Sequence, residues 1–516
     1  LLLVLALFLV GRYGALPAIG FTLDDWWHLN LADSRGSLGA LLLDAVRYPL
    51  RPLHTVTYML AFRLIGEHPA GFIVLCTIGF SIFLFLALAL ARKLTGSGRS
   101  ALVTGLLCAL WPGYHEMFYW PTVMLYSIWS AVFALLLWTW AGFIEKPGPA
   151  RYAFAVGLYG VLIAMYEIYL PVPAALAVLI PWNRNWFRRA VRLMIPFAGL
   201  AALYLSYRMT NAYGHGMNMF GTGANTAASF AANLWEIRHN LMSMASWFAG
   251  FQLVQTGWNG LLGLGGAGPW SLAALAAADA ALAIWAWRAL QGGEARADSV
   301  FKPAQVAAFG LVLAAGFGVI LVLTYAAGRN LFPAAAGVFL AASLLGRSPW
   351  RRTAWVVPVV FVALLATQGM GRNWGAAARV QREFKDRLAE TRSQWIDRDV
   401  LLVDTAGLRQ AAEFVAARES YGDFYVLVEY RGAGFLRGFG PAQIAARVAG
   451  RNVRPPRVLL DYEHGARFQG GELVWHERFQ PAAPHRTPRD RVHIETLGAG
   501  GMDGRGTGSH GGVPVR

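Results

Sequence analysis

Two adjacent carboxylates, Asp24 and Asp25 in the stretch FTLDDWWHLN, follow the first apolar run of a chain that carries few charges elsewhere. Ionisable groups at the edge of a membrane are costly to hold, so a carboxylate pair there marks a place to expect chemistry. A carboxylate within hydrogen-bond reach of a hydroxyl can serve as its general base, and a second one beside it raises its neighbour's proton affinity by like-charge repulsion. Other polar groups interrupt the apolar sequence at wide intervals: Arg51, His115 with Glu116, Glu167 and Arg329. A guanidinium recognises phosphate through paired hydrogen bonds and stabilises charge developing on it. Each residue also has a plainer reading. The Asp pair can be a solvated loop, the arginines can anchor helix ends by snorkelling, and His115 and Glu116 can satisfy one another. Glu167 can hold a structural hydrogen bond, and His28 can be an interfacial neighbour of Trp26 and Trp27.

The elements that must position these groups are apolar helices. Of 516 residues, 56% are hydrophobic, 14% are charged and 20 are Trp. That composition describes a polytopic membrane bundle. Runs without an ionisable residue, long enough for ~30 Å of hydrocarbon, cover 70–91, 122–144, 303–328 and 353–370. Shorter or less pure spans cover 1–19, 100–114, 152–166, 168–182, 190–207, 270–287 and 331–346, which makes eleven. The first is expected to be a retained helix rather than a signal peptide, since no small-residue cleavage site follows it.

Arg and Lys set the orientation. They gather at Arg92, Lys93 and Arg99, at Lys146 and Arg151, at Arg184 to Arg192, at Arg288 to Lys302 and at Arg347 to Arg352, so that every second loop is basic. The N-terminus is therefore expected inside and the C-terminus outside. Asp24, Asp25, Arg51, His115, Glu116, Glu167 and Arg329 then share the outer side although they are far apart in sequence. Two apolar segments break this parity if they cross. The first, 50–66, carries Leu53, Val56, Leu60 and Leu64 at helical spacing and is expected to lie on the outer surface. The second, 241–268, is interrupted by Gln252, Gln255, Asn259 and repeated Gly, and is expected to be an outer-surface or re-entrant element.

Beyond Met370 the composition turns to mixed charge, which divides the chain into a membrane domain at 1–370, a small extracytoplasmic α/β domain at 371–495 and a Gly-rich, disordered tail at 496–516. Helical patterns cover 375–395 and 408–418, and strand patterns cover 400–404, 425–429 and 458–462. Cys76 and Cys108 fall inside apolar runs and read as small packing residues. The formal net charge of +16 is largely orienting Arg, which suits anionic lipid rather than nucleic acid. No nucleotide-loop motif and no metal-ligand spacing is present, so no cofactor is identified and a divalent metal is unsupported. The excess of Arg over Lys and the abundance of Ala and Gly suggest a GC-rich coding sequence and a bacterial inner membrane, with the site facing the periplasm or exterior.

The order of the outer segments, DDWWHL at 24–29, YPLRPLHTVTYML at 48–60, WPGYHEMFYWPTVMLYS at 111–127, MYEIYLPVP at 165–173 and GRNLFPAAAG at 328–337, resembles membrane glycosyltransferases of the GT-C fold, and within them protein O-mannosyltransferase relatives. The resemblance spans the membrane domain. It implies inverting transfer of a sugar from a polyprenyl phosphate donor to an acceptor hydroxyl, on a protein, a lipid or a glycan. Asp24 matches the family's catalytic position, with Asp25 sharing the task or orienting the acceptor. Arg329 and then Arg51 are the candidates for the donor phosphate, and His28, His115, Glu116 and Glu167 for lining the site. The chain departs from that family in having Asp-Asp where Asp-Glu is common, and in lacking tetratricopeptide repeats after the membrane domain. The competing readings are a transporter or flippase for a lipid-linked glycan, a polysaccharide polymerase or ligase, and an inactive scaffold.

Overall fold

The computed structural model describes residues 1–14, 20–21, 24–34, 37, 39–40, 43, 51–111, 115–214, 238, 251–264, 267–292, 299–323, 335–339, 356–404, 441–450, 453–460, 466–476 and 484–496. Its membrane part is helical: α1 (Leu2–Tyr13), α2 (Asp24–Ser34), α3 (Pro52–Ile65), α4 (Pro69–Thr95), α5 (Gly98–Leu110), α6 (His115–Tyr119), α7 (Pro121–Glu145), α8 (Pro149–Met165), α9 (Glu167–Val178), α10 (Trp186–Gly214), α11 (Phe251–Gly263), α12 (Pro269–Gln291), α13 (Pro303–Leu323) and α14 (Val356–Glu390). Five stretches, α4, α7, α12, Trp186–Thr210 of α10 and Val356–Gly375 of α14, are long and apolar enough to cross a membrane, which makes this a multi-pass membrane protein. Shorter apolar helices accompany them: α1, α5, α8, α9 and Pro303–Gly318 of α13. At 1.5 Å per residue the 12 residues of α1 cover only about 18 Å, so the short members cross a full bilayer only with their flanks.

Local sequence explains where the helices start and stop. Proline occupies the first turn of α3, α4, α7, α8 and α12, where its missing N–H costs nothing. Between α4 and α5 the chain turns on Gly96, whose φ of 66° is left-handed, and Ser97 then caps α5 by accepting from the Ser100 N–H at 3.1 Å.

Contacts sort the helices between two ends. At one end Lys93 pairs with Glu145 at 2.6 Å, Arg99 donates to the Gly292 carbonyl at 2.9 Å, Ser299 donates to the Leu94 carbonyl at 2.9 Å, and Gln305 donates to the Ile180 carbonyl at 3.2 Å. These join four of the five basic loops, and the opposite end carries α2, α3 and the C-terminal residues. Both α13 and α14 run toward that opposite end. The expected span at 331–346, which belongs between them, falls mostly outside the described residues.

The core is aromatic. Trp120, Trp129 and Trp140 are fully buried on or beside α7, and the Trp140 indole donates to the Leu176 carbonyl at 2.8 Å, tying α7 to α9. Val74, Ile78, Ile82 and Phe85 form an exposed apolar stripe along α4, the face a helix turns toward lipid. Helix α3 is present as expected. Tyr58, Met59, Ala61 and Phe62 are buried, Leu53, Val56 and Leu60 of the anticipated apolar stripe are half-buried, and Leu64 is 82% exposed.

The segment expected to lie on the surface or re-enter contains α11, which packs backbone to backbone on α14. A Cβ built on Gly369 would stand 1.7 Å from the Gly260 carbonyl oxygen, and one on Gly263 would stand 2.3 Å from that of Gly369. Small residues let membrane helices approach this closely. Val254, Trp258 and Leu262 point away from the contact, exposed. Gly369→Leu is therefore expected to push α11 off α14 and destabilise the bundle by at least about 1–3 kcal/mol, read as a lower unfolding temperature in detergent. One residue earlier, the Gln368 amide donates to Asp279 Oδ1 at 2.9 Å and to the Val10 carbonyl at 3.2 Å, clamping α1, α12 and α14.

Helix α14 runs unbroken through residue 370 to Glu390, so the membrane and C-terminal parts share one helix. The compositional change at 370 marks where that helix becomes polar, not where it ends. Beyond it lie β1 (Val400–Asp404), α15 (Pro441–Ala449), β2 (Arg457–Leu460), β3 (Arg467–Gln469), β4 (Glu472–Trp475), β5 (His485–Pro488) and β6 (Val492–Thr496). β1 lies between β2 and β6 in a parallel sheet, with Leu401 opposite Val458 and His493. β3, β4 and β5 form a separate antiparallel sheet. The expected helix at 408–418, the strand at 425–429 and nearly all of the Gly-rich tail lie outside the described residues.

Candidate functional site

Asp25 opens the site. Its side chain is fully buried, and its Oδ1 accepts from the Thr122 backbone N–H at 2.7 Å and from the Thr122 hydroxyl. Thr122 sits in the first turn of α7, right after Pro121, where backbone donors lack intrahelical partners. Asp25 therefore caps α7 from across the fold and places negative charge at the positive end of its dipole. Asp24 begins α2 one residue earlier, and its side chain lies outside the described set, as do those of His115 and Glu116, which begin α6. Helix α6 leads through Trp120 into the same α7 terminus. Arg329 lies outside the described residues altogether.

Arg51 precedes α3, and its guanidinium grips Glu167 with two bonds, Nε to Oε2 at 2.8 Å and Nη2 to Oε1 at 2.6 Å. Glu167 is the first residue of α9. A second guanidinium, that of Arg208 near the end of α10, stands 3.0 Å from Glu167 Oε2 and donates to the Tyr204 hydroxyl at 3.3 Å. The Glu167 and Arg208 side chains are each 4% exposed, whereas Arg51 is 26% exposed. Two guanidiniums thus face one carboxylate, and Arg51 is the more accessible of the two.

Ring contacts connect the two halves of the site. The Arg51 guanidinium lies 4.1 Å over the Tyr166 ring. His54, on the first turn of α3, stacks on Tyr58 at 4.2 Å and lies 4.8 Å from Trp129 and 6.4 Å from Tyr166. Tyr58 in turn meets His28 of α2 at 4.8 Å, and His28 stacks on Phe62 at 5.4 Å. Burial pushes His28 down to about 3, so at neutral pH it is a neutral imidazole and adds no cation to the site. Among the candidates named from sequence, the structure thus brings Arg51 and Glu167 into contact, links His28 to them through Tyr58, His54 and Tyr166, and sets Asp25 on Thr122. Arg208, Thr122 and His54 had not been singled out, although Arg208 ends an apolar run as Arg51 begins one. Among the described residues no three His, Cys, Asp or Glu side chains gather as a metal site would need.

Polar contacts around α2 extend to the C-terminal part. Glu67, between α3 and α4, accepts from Lys385 and from Arg447 Nε at 2.7 Å, and Arg447 also reaches Asp33. Partial burial pushes the Glu67 carboxyl up, but the hydrogen bonds from Lys385 and Arg447 outweigh it and hold the group below its ordinary 4.5. A carboxylate depressed by folding contributes stability above its unfolded value and loses it as pH falls through the folded one. Mild acid near pH 5 is thus expected to leave this cluster intact, and acid well below pH 4 to loosen it, which protease sensitivity of the C-terminal part would report.

A scan against protein-family models and a search of curated proteins give no match. Among solved structures the chain is similar to ArnT from Cupriavidus metallidurans, crystallised bound to undecaprenyl phosphate, at 15% identity over 78% of this chain and 82% of that one, with a TM-score of 0.38.

Proposed function

We propose that this protein is a membrane glycosyltransferase of GT-C type that moves a sugar from a polyprenyl phosphate donor to an acceptor hydroxyl, with inversion and with Asp24 as general base. The observation that carries the reading is the pair of guanidiniums, Arg51 and Arg208, fixed on the buried carboxylate of Glu167 and connected through Tyr166, His54, Tyr58 and His28 to the helix that begins at Asp24. Two identical carboxylates stand side by side in the sequence, and one is spent on capping α7. That leaves Asp24 for the acceptor proton.

In the reaction the acceptor O–H gives its proton to Asp24 as its oxygen forms a bond to the anomeric carbon. The bond from that carbon to the phosphate oxygen breaks, and its electron pair stays on the phosphate. The added charge falls where guanidiniums are already fixed, so little reorganisation is needed at the moment of reaction. Glu167 keeps both guanidiniums oriented before the phosphate arrives. The neutral, ring-packed His28 fits a wall of the acceptor side, and Arg329 is a second proposed phosphate ligand. The site is taken to face the extracytoplasmic side, opposite the basic loops.

Transfer of radiolabelled sugar from a panel of polyprenyl phosphate donors, in membranes holding matched amounts of wild type or Asp24→Asn, tests this. Donor-dependent transfer that vanishes in the variant is the expected result. Equal transfer by both removes Asp24 as the base, and movement of intact lipid-linked sugar across the bilayer without transfer would make the protein a flippase.

A further inference from the structure

Helix α2 has 11 residues and little hydrophobic content, and a helix this short is marginal in water unless tertiary contacts hold it. Its first turn is fixed to the membrane part through Asp25 and Thr122, and to the polar extension of α14 through the Trp26 indole, which donates to Gln381 Oε1 at 2.8 Å. Lys385, one turn further along α14, lies 5.6 Å over the same indole while it pairs with Glu67. The far half of α2 meets α15. Asn30 donates to the Gln443 carbonyl at 2.9 Å, and Asp33 pairs with Arg447. Arg447 reaches past α2 to Glu67 at 2.7 Å, so one guanidinium joins α2, the α3–α4 connection and the C-terminal part. From the other side Arg63 donates to the Ala32 carbonyl at 3.2 Å.

Helix α15 is itself anchored. Ile444, Ala445 and Ala449 are buried, and Arg392, just after α14, donates to the Ala449 carbonyl at 2.9 Å. The arrangement is a frame with α14 and α15 as two sides and α2 held between them. The contacts named for this frame do not include Arg51, Glu167 or Arg208.

We infer that the C-terminal part is a brace that sets the position of α2, and with it the Asp24 and Asp25 carboxylates, and that Arg447 is its principal positioning residue. The link to catalysis rests on the functional reading above. Without Arg447, Asp33 and Glu67 lose the guanidinium they share, and the far half of α2 is held less firmly, through Asn30 and Arg63. The near half, held by Asp25 and Trp26, becomes a pivot. Donor binding at Arg51 is left as it was, while the distance from base to acceptor is no longer fixed, and a shift of about 1 Å in a catalytic group costs on the order of 10²-fold.

Full-length Arg447→Ala is compared with wild type and with Arg491→Ala, which removes an exposed pair to Asp399 elsewhere in the same part of the chain. Two readings are taken: amide hydrogen exchange of the peptide covering 24–34, and kcat and donor KM per folded molecule. Arg447→Ala is expected to speed exchange of α2 by about 10-fold or more and to lower kcat with donor KM unchanged, and Arg491→Ala to do neither. Unchanged exchange in Arg447→Ala overturns the brace, as does an equal rise in Arg491→Ala. Faster exchange with an unaltered kcat overturns its role in positioning the carboxylates. Faster exchange in a protein whose wild type transfers no sugar leaves the brace standing and overturns the transferase reading instead.

Discussion

Asp24→Asn is expected to lower sugar transfer by about 10²- to 10⁴-fold, the range that loss of a general base produces, with donor KM and thermal stability close to wild type. Asp25→Asn is expected to behave differently. An Asn at 25 still offers an oxygen to the Thr122 N–H but no longer a charge to the end of α7, so activity falls modestly and stability slightly. Asp25→Ala removes the acceptor altogether and strands a buried N–H and a buried hydroxyl, at a cost of about 1–3 kcal/mol. The pair of variants is therefore a test of assignment between neighbours that look alike in sequence. Steady-state kinetics and unfolding temperatures on matched protein decide it. A result in which Asp25→Asn kills transfer at normal stability, while Asp24→Asn retains it, would exchange the two roles.

Only part of this was legible in the sequence, and the reasons are physical. The apolar runs show the membrane helices directly, because each must present uncharged surface over most of its length. The alternation of basic loops sorts the connections into two sets, and four of the basic loops do meet at one end of the bundle. What one residue among neighbours does is harder. That Asp25 bonds Thr122, 97 positions away, is not legible in the sequence, where the resemblance alone separates Asp24 from Asp25. The leucine spacing of α3 does not show which side packs on the bundle: in the fold Tyr58 and Phe62 find rings to pack on, while Leu64 is exposed. Strands β3 to β6 span five residues or fewer, and none repeats the run of four aliphatic residues that marks β1. Arg208 was within reach of the rule that found Arg51. It ends the apolar run of α10, and loop parity assigns it to the same side as Glu167.

Arg208→Leu is expected to lower donor kcat/KM by about 10²- to 10³-fold, the loss typical of removing a group aimed at developing charge. Arg208 acts through Glu167, a carboxylate that is almost wholly buried and faces two guanidiniums. With Arg208 gone, the group has one positive charge fewer. Arg51, which Glu167 already grips with two bonds, is then drawn more strongly to the carboxylate and less to a phosphate. Arg208→Lys keeps the charge but loses the planar fork, so partial activity is expected. The decisive variant is Arg208→Leu combined with Glu167→Gln. If the role of Arg208 is to provide net positive charge for the donor, removing the carboxylate restores that charge on Arg51, and the double variant binds donor better than Arg208→Leu alone. If Arg208 matters only as packing for Glu167, the double variant recovers stability without recovering donor KM. Donor KM in the four members of this cycle separates an electrostatic site from a structural ion pair.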